Sequence, residues 1–297
     1  MFVNYNLFLY YMSADTNFDN NFEKIVIIDK WYRRLGNNIL QVHNAILIGL
    51  YFNCNVTIPA HSFFNTRLIK INNDNSLKKV VKITHPNNYF DYDIIKFLKK
   101  ILLNDPLLKN VEHFDADMFS KYYMESLRIL RTCFVVQNEC IKPLGDNDLV
   151  IHIRTGDVFR DGGRVHGKYY QPPLCFYLSI LDKKFDNVYL VAEDKKNPCI
   201  NALLNLFPDI KYKQNNLTED IKIILSARHV VGSRGTFVSS LLKMSNNIVN
   251  MYNYNYDANY LKIMNPWRNN EKQIETMLAF KSPDNKPSCY KIRVFET

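Results

Sequence analysis

Leu149-Val-Ile-His-Ile-Arg-Thr-Gly-Asp157 is the stretch from which the fold can be read. Residues 149–153 form an apolar, β-branched run broken only by His152, which predicts a strand buried on both faces. Polar residues then follow at once: Arg154, Thr155, Gly156 and Asp157. Side chains alternate along a strand, so His152 and Arg154 share a face near its carboxyl end. In an open parallel sheet that end borders the ligand crevice. A guanidinium there can grip a phosphate with a planar two-pronged donor set. Gly156 permits a turn that a side chain would obstruct, and Asp157 returns a carboxylate towards the same crevice. The plainer reading of these residues is a structural Arg–Asp pair closing a strand end, with a core histidine.

Outward from this strand the pattern repeats. A glycine-containing loop at 155–169 leads to helix 173–182, strand 187–192, helix 197–206, strand 209–213, helix 218–227, strand 229–232 and helix 236–244. A last helix is expected near 270–280, after an aromatic, Asn-rich stretch, and the tail from Ser282 is weakly patterned. Upstream, strand 24–28, a turn containing Gly36, helix 39–52 and strand 55–59 begin another such layer. A Lys-Val-Val-Lys-Ile strand candidate lies within 70–85, and amphipathic helices are expected at 91–104 and 116–131. Strands alternating with helices of about ten residues predict parallel sheets joined by helical crossovers, an α/β fold. Pro143 and Gly145 punctuate a polar segment at 140–148, dividing the chain into 1–144 and 145–297.

Composition bounds the function. The 297 residues allow one large domain or two ordinary ones, and 47% apolar with 23% charged residues excludes wholesale disorder. No run approaches 18 apolar residues, so no membrane-spanning segment is expected. Phe2–Met12 is interrupted by Asn4 and Asn6 and has no basic flank, so no signal peptide is expected and a cytoplasmic location is. The net charge of +9 is divided almost evenly between the halves, without a basic stripe or an aromatic stacking motif; this argues against a nucleic-acid partner and suits a small anionic substrate. The six cysteines form no CxxC pair and no zinc-finger spacing, which fits buried thiols in a reducing compartment. Sequons at Asn55 and Asn216 read as chance matches.

Two further segments carry chemistry. In Arg33-Arg34-Leu-Gly-Asn-Asn38, Gly36, Asn37 and Asn38 at a helix start favour an anion, or else Asn37 or Asn38 is an ordinary cap with Gln41 at capping-box distance. In the segment from Glu219 to Ser240, a helix leads into a strand and then a small-residue turn, Ser233–Thr236, which again suits a phosphate. It matches neither the P-loop nor the dinucleotide fingerprint. The Asp91/Asp93, Asp115/Asp117 and Asp146/Asp148 pairs lack an apolar strand before them and read as chance or caps, so no metal site is expected. The loop Arg160–Tyr170, with three glycines, His166 and Tyr169, is expected to act as a lid or acceptor loop, or to be plain surface.

Together these motifs resemble the fucosyltransferase superfamily, which includes α1,2-, α1,6- and protein O-fucosyltransferases. His152-x-Arg154-x-x-Asp157 resembles its HxRxxD-type motif. Arg34-Leu-Gly-Asn37 resembles its early Gly-Arg-(Leu/Phe)-Gly-Asn-Gln element, with Arg33 in place of the first Gly and Asn38 in place of the Gln. Asp220 and the segment Ala227–Phe237 resemble its last motif, with Val238 where Ser is usual. The three occur in the superfamily's order across residues 33–240; residues 60–130 and the tail show no close match.

The resemblance implies a GT-B-like fold, two Rossmann-like domains with an interdomain cleft. The 1–144 half would face the acceptor and the 145–297 half the nucleotide-sugar donor, GDP-fucose. It implies inversion at the anomeric carbon without a metal or other cofactor. Arg154 would neutralise the departing phosphate, His152 would contact the nucleotide and Asp220 the guanine or ribose. Ser233, Gly235, Thr236 and Phe237 would cradle phosphates, approached from the other half by Arg34, Gly36, Asn37 and Asn38. Asp157 is the first choice for general base, although an arginine partner makes a carboxylate a poorer base; Glu193 and Asp194 are the alternatives. The departures at Arg33, Asn38 and Val238 leave open GDP-mannose or a UDP-sugar as donor, and a nucleotide-binding module without catalysis.

Overall fold

The computed structural model describes residues 25–71, 80–83, 116–138, 141–159, 169–281 and 288–291. The expected helix 91–104 and most of the 160–169 loop lie outside them.

Two mostly parallel sheets form, as the alternation predicts. The first comprises β1 (Ile25–Ile28), β2 (Asn55–Thr57), β3 (Leu68–Ile69) and β4 (Val80–Ile83), in the order β3-β2-β1-β4. β1 runs parallel to both β2 and β4, while β3 pairs antiparallel with β2. Helix α1 (Leu35–Phe52) crosses from β1 to β2 and buries Ile39, Val42, Ala45, Ile46 and Ile48 completely. It ends at Asn53, whose left-handed backbone (φ 52°) directs amides back onto Gly49 and Leu50. Helix α2 (Ala116–Cys133) packs beside α1.

The second sheet contains β5 (Leu149–His152), β6 (Val188–Val191), β7 (Lys211–Tyr212), β8 (His229–Val231), β9 (Asn250–Asn253) and β10 (Ser288–Lys291), in the order β10-β9-β8-β5-β6-β7. All neighbours run parallel except β10, which is antiparallel to β9. Counted from β5, this is the doubly wound order 3-2-1-4-5 with an antiparallel sixth strand. Its direction reverses between β5 and β8, and ligands of such sheets sit at that switch point. The crossovers are α3 (Leu174–Leu181), α4 (Pro198–Leu206), α5 (Leu217–Ser226) and α6 (Phe237–Leu241); α7 (Ala258–Met264) and α8 (Glu271–Ala279) follow β9. The buried Asp148 carboxylate sets the entry to β5 by accepting from Gly145 N (2.9 Å) and Asn187 Nδ2 (2.7 Å).

Three expectations need correction. The first helix begins at Leu35 rather than 39, with Arg34 as its cap and no side-chain cap bond, so neither Asn37 nor Asn38 caps it. The helix expected over 236–244 is regular only at Phe237–Leu241. The Asn-rich stretch and tail supply β9, α7 and β10. Asn250 and Asn253 sit at the half-buried ends of β9 around buried Met251 and Tyr252, and Asp257 starts α7 by accepting from Asn259 N and Tyr260 N.

Among the described residues, one of two apolar cores spans both sheets, while the other, with Leu149, Ile151, Tyr177 and Trp267, packs within the second half of the chain. The spanning core includes Val26 and Ile39 on one side, Val150 and Val230 on the other, and Leu241 and Met244 between them. At its centre α1 meets α6 so closely that a Cβ on Gly36 would lie 2.7 Å from Phe237 Cα. The Ser240 hydroxyl donates to Gly36 O (2.8 Å), and Thr236 Oγ1 donates to Asn37 Oδ1 (2.7 Å). A buried polar chain extends this joint: Lys243 Nζ lies 3.0 Å from His43 Nδ1, His43 Nε2 lies 3.0 Å from Ser126 Oγ, and Ser126 donates to Tyr123 O. Arg131 of α2 donates to the carbonyls of Lys243 and Ser245. Burial, helped by the Lys243 charge, holds His43 well below its usual pKa, and burial pushes Lys243 down to about 8. Among the described residues no helix is long and apolar enough to cross a membrane.

Two outcomes follow from the joint. Gly36→Ala forces backbone against backbone and should cost about 1–3 kcal/mol, read as a melting temperature lowered by several degrees; an unchanged value would mean the contact yields freely. His43 is neutral when folded but takes a proton near pH 6.5 when unfolded, so its contribution is intact above 6.5 and is lost as pH falls below it. The slope is up to about 1.4 kcal/mol per pH unit for each such histidine. Denaturant midpoints between pH 7 and 5 should fall less steeply in His43→Gln than in the unsubstituted protein, and identical slopes would contradict the assignment.

Candidate functional site

The site is built where the two sheets present their strand ends to each other. Arg154 follows β5 and is held on three sides. Its Nη2 donates to both carboxylate oxygens of Asp157 (3.4 and 3.2 Å), Nη1 donates to Arg234 O (3.4 Å), and the guanidinium lies 4.7 Å from the centre of the Tyr169 ring. Gly235, at φ 145°, makes room for it: a Cβ there would lie 2.9 Å from Arg154 Nη1. The backbone of Arg154 is fixed by the buried Asn197, whose Nδ2 donates to its carbonyl (3.2 Å) while Oδ1 caps α4.

Arg34 reaches the same place from the other sheet. Its Nη1 donates to Glu193 Oε2 at 2.9 Å and stands 3.7 Å from Asp157 Oδ1. Partial burial works against its charge, yet Glu193 and Asp157 outweigh that and its pKa rises. Asp157 thus sits between two guanidiniums, one from each sheet. The neighbouring Arg33 donates to the Tyr169 hydroxyl (3.3 Å) and has φ 60°, a conformation that favours glycine.

At the β8 end, Ser233 Oγ lies 2.8 Å from His152 Nδ1, and the His152 ring packs 5.3 Å from that of Phe237. Burial, with the Arg154 charge beside it, pushes His152 down to about 3, so it is a neutral imidazole at physiological pH. Arg234 is clamped between the rings of Tyr170 (4.2 Å) and Tyr256 (4.9 Å). Asp220, buried in the first turn of α5, accepts from Asn215 Nδ2 (3.4 Å), and its burial raises its pKa to about 6.

The sequence-derived candidates therefore separate into groups. Arg34, Arg154, Asp157, Glu193 and Tyr169 are brought together, and His152 joins Ser233 and Phe237. Gly36, Asn37 and Thr236 lie in the joint between α1 and α6. There the buried first turn of α1 packs on protein, and α6 is too short to supply a helix-terminus anion site. The charged groups gathered at the strand ends are the guanidinium side chains of Arg34 and Arg154. Asn38 is turned into its own loop, donating to Tyr32 O and Gln41 Oε1. The Asp194 carboxylate accepts from Lys196 N. His166, Asp91, Asp93 and Asp115 lie outside the described residues. Asp148 closes its turn and Asp146 pairs with Arg228 at 3.4 Å, which accounts for that acidic pair. Asn197, Tyr170, Arg234 and Tyr256 were not singled out from sequence; their contacts join distant segments and leave no local signature.

The sequence matches no protein-family model and no curated protein. Among solved structures it is similar to NodZ α-1,6-fucosyltransferase co-crystallised with GDP, with TM-score 0.39 and 10% identity, covering 78% of this chain and 95% of that one. The same enzyme soaked with GDP-fucose gives TM-score 0.41 at 10% identity, with 78% and 95% covered. The selenomethionine form of fucosyltransferase NodZ from Bradyrhizobium gives 0.39 at 11% identity, with 83% and 97% covered. At these values the likeness assigns no residue role to this chain.

Proposed function

We propose that the protein is an inverting, metal-independent glycosyltransferase of GT-B type that moves a sugar, most directly L-fucose from GDP-fucose, to a hydroxyl of a glycan or glycoconjugate. The observation that carries this reading is the convergence of Arg34 and Arg154, from different sheets, on one carboxylate at the carboxyl end of β5. Two guanidiniums facing one anionic point are what a diphosphate requires. Their position beside the β5/β8 switch point is where a doubly wound sheet receives a nucleotide. The motif resemblance supports the same reading. Arg33 stands where the related element has glycine, and it keeps a backbone that glycine favours.

In this reading residues 145–297 are the donor side and 1–144 the acceptor side. The diphosphate lies against Arg154 and Arg34. As the anomeric C–O bond breaks, negative charge grows on the phosphate oxygen, and Arg154 stabilises it from a position already fixed by Asp157, Arg234 O and Tyr169. The neutral His152 and Ser233 offer hydrogen bonds without further charge. Asp220 receives N–H donors of the base or hydroxyls of the ribose.

Incubation with GDP-fucose and an oligosaccharide panel in EDTA should release GDP and add a deoxyhexose detectable by mass. Arg154→Ala should slow this by about 10²–10³-fold while the protein stays folded; an undiminished rate would remove Arg154 from the chemistry. If Asp220 accepts from the nucleoside, its carboxylate must be ionised. GDP should therefore bind more tightly as pH rises through about 6, and Asp220→Asn should flatten that dependence. A pH-independent affinity in the unsubstituted protein would contradict the assignment.

A further inference from the structure

Two carboxylates border the guanidiniums, and their surroundings differ. Asp157 accepts from Arg154 through both oxygens and lies 3.7 Å from Arg34. It is the fixed anion that orients Arg154. Glu193, by contrast, is an exposed carboxylate whose ion pair among the described residues is with Arg34 of the other sheet.

The position of Glu193 is nevertheless built. Gln214 Nε2 donates to its carbonyl (3.0 Å), and the next amide, Asp194 N, donates to Thr155 Oγ1 (3.2 Å), so the end of β6 is stitched to the end of β5. The side chain lies directly over Gly156, where a Cβ would overlap its carboxylate. Gly156 therefore serves two purposes: its φ of 62° makes the turn, and its bare Cα seats Glu193 where it meets Arg34. Among the described residues, the other charges nearby are engaged elsewhere. Arg154 holds Asp157, Arg33 donates to Tyr169, the Asp194 carboxylate accepts from Lys196 N, and Lys195 lies over the Tyr212 ring.

We propose that Glu193 is the general base for the acceptor hydroxyl, held by Arg34 until the donor diphosphate takes that guanidinium. This rests on the glycosyltransferase reading above. A diphosphate carries more charge than a carboxylate and competes for Arg34. A carboxylate oxygen freed from a guanidinium is open to accept the hydroxyl's hydrogen bond. Donor binding thus exposes the base as the diphosphate arrives. In the step itself the acceptor O–H proton moves to the Glu193 carboxylate and the acceptor oxygen bonds to the anomeric carbon. The anomeric C–O(phosphate) bond breaks, and its electron pair leaves on the nucleoside diphosphate beside Arg154.

The test uses the full chain with GDP-fucose, reading GDP release with water as acceptor and GDP affinity by calorimetry. Glu193→Gln should slow turnover by about 10²–10⁴-fold and abolish the acidic limb of the pH–rate profile. GDP affinity should be unchanged or tighter by up to about fivefold, because an exposed ion pair no longer competes for Arg34. Glu193→Asp should recover part of the rate. Wild-type turnover with an intact acidic limb in Glu193→Gln would overturn the proposal, as would a parallel loss of GDP binding, which would mark Glu193 as a structural contact. Failure of the unsubstituted protein to bind GDP would instead defeat the parent reading, and this one with it.

Discussion

The contact between Gly36 and the backbone of Phe237 decides the rest. Two α/β layers could meet at many angles, but here α1 and α6 approach until no side chain fits between them, and Ser240 and Thr236 bond across the gap. Apolar side chains from both sheets close around that joint in one core. Arg34 stands two residues before Gly36. Once the joint is set, its guanidinium is delivered to the ends of β5 and β6, about the span of one side chain away. An arginine belonging to one layer is thereby placed at the strand ends of the other.

The second constraint is steric and falls on two glycines. Gly156 clears space for Glu193, and Gly235 clears space for Arg154. Both have positive φ, so each turn also requires the freedom that glycine supplies. Asn197, Tyr169 and the Arg234 carbonyl hold Arg154 in place, and the Tyr170–Arg234–Tyr256 stack holds that carbonyl. The resulting pattern is an oriented guanidinium rather than a flexible one, which is the arrangement that stabilises charge as it develops.

Much of this was legible in the sequence, for a local reason. Residues 25–28 are an unbroken apolar run and 149–153 is broken only by His152, and the helices between later strands carry clear periodicity, so the parallel α/β layering follows from short windows. His152 and Arg154 could be placed by strand alternation, and Asp157 by the turn at Gly156. What was not legible depends on partners far along the chain. Nothing near Arg34 announces Glu193, 159 residues away, and nothing near His43 announces Lys243, 200 residues away. Asn38 looked like a ligand-facing amide, but it serves its own loop. β9 leaves little trace in the sequence because its core is only Met251 and Tyr252 between two asparagines, too short a pattern to stand out among so many Asn and Tyr residues.

The central claim is that Arg34 and Arg154, carried by separate sheets, hold one diphosphate. A double-mutant cycle on GDP affinity tests it most directly, with Arg34→Gln, Arg154→Gln and the double variant titrated by calorimetry in EDTA. If both guanidiniums touch the same diphosphate, each substitution weakens binding by tenfold or so and the double variant departs from the sum of the two, because the residues share a ligand. Equal GDP affinity in all four proteins, or two independent effects that simply add, would contradict the account.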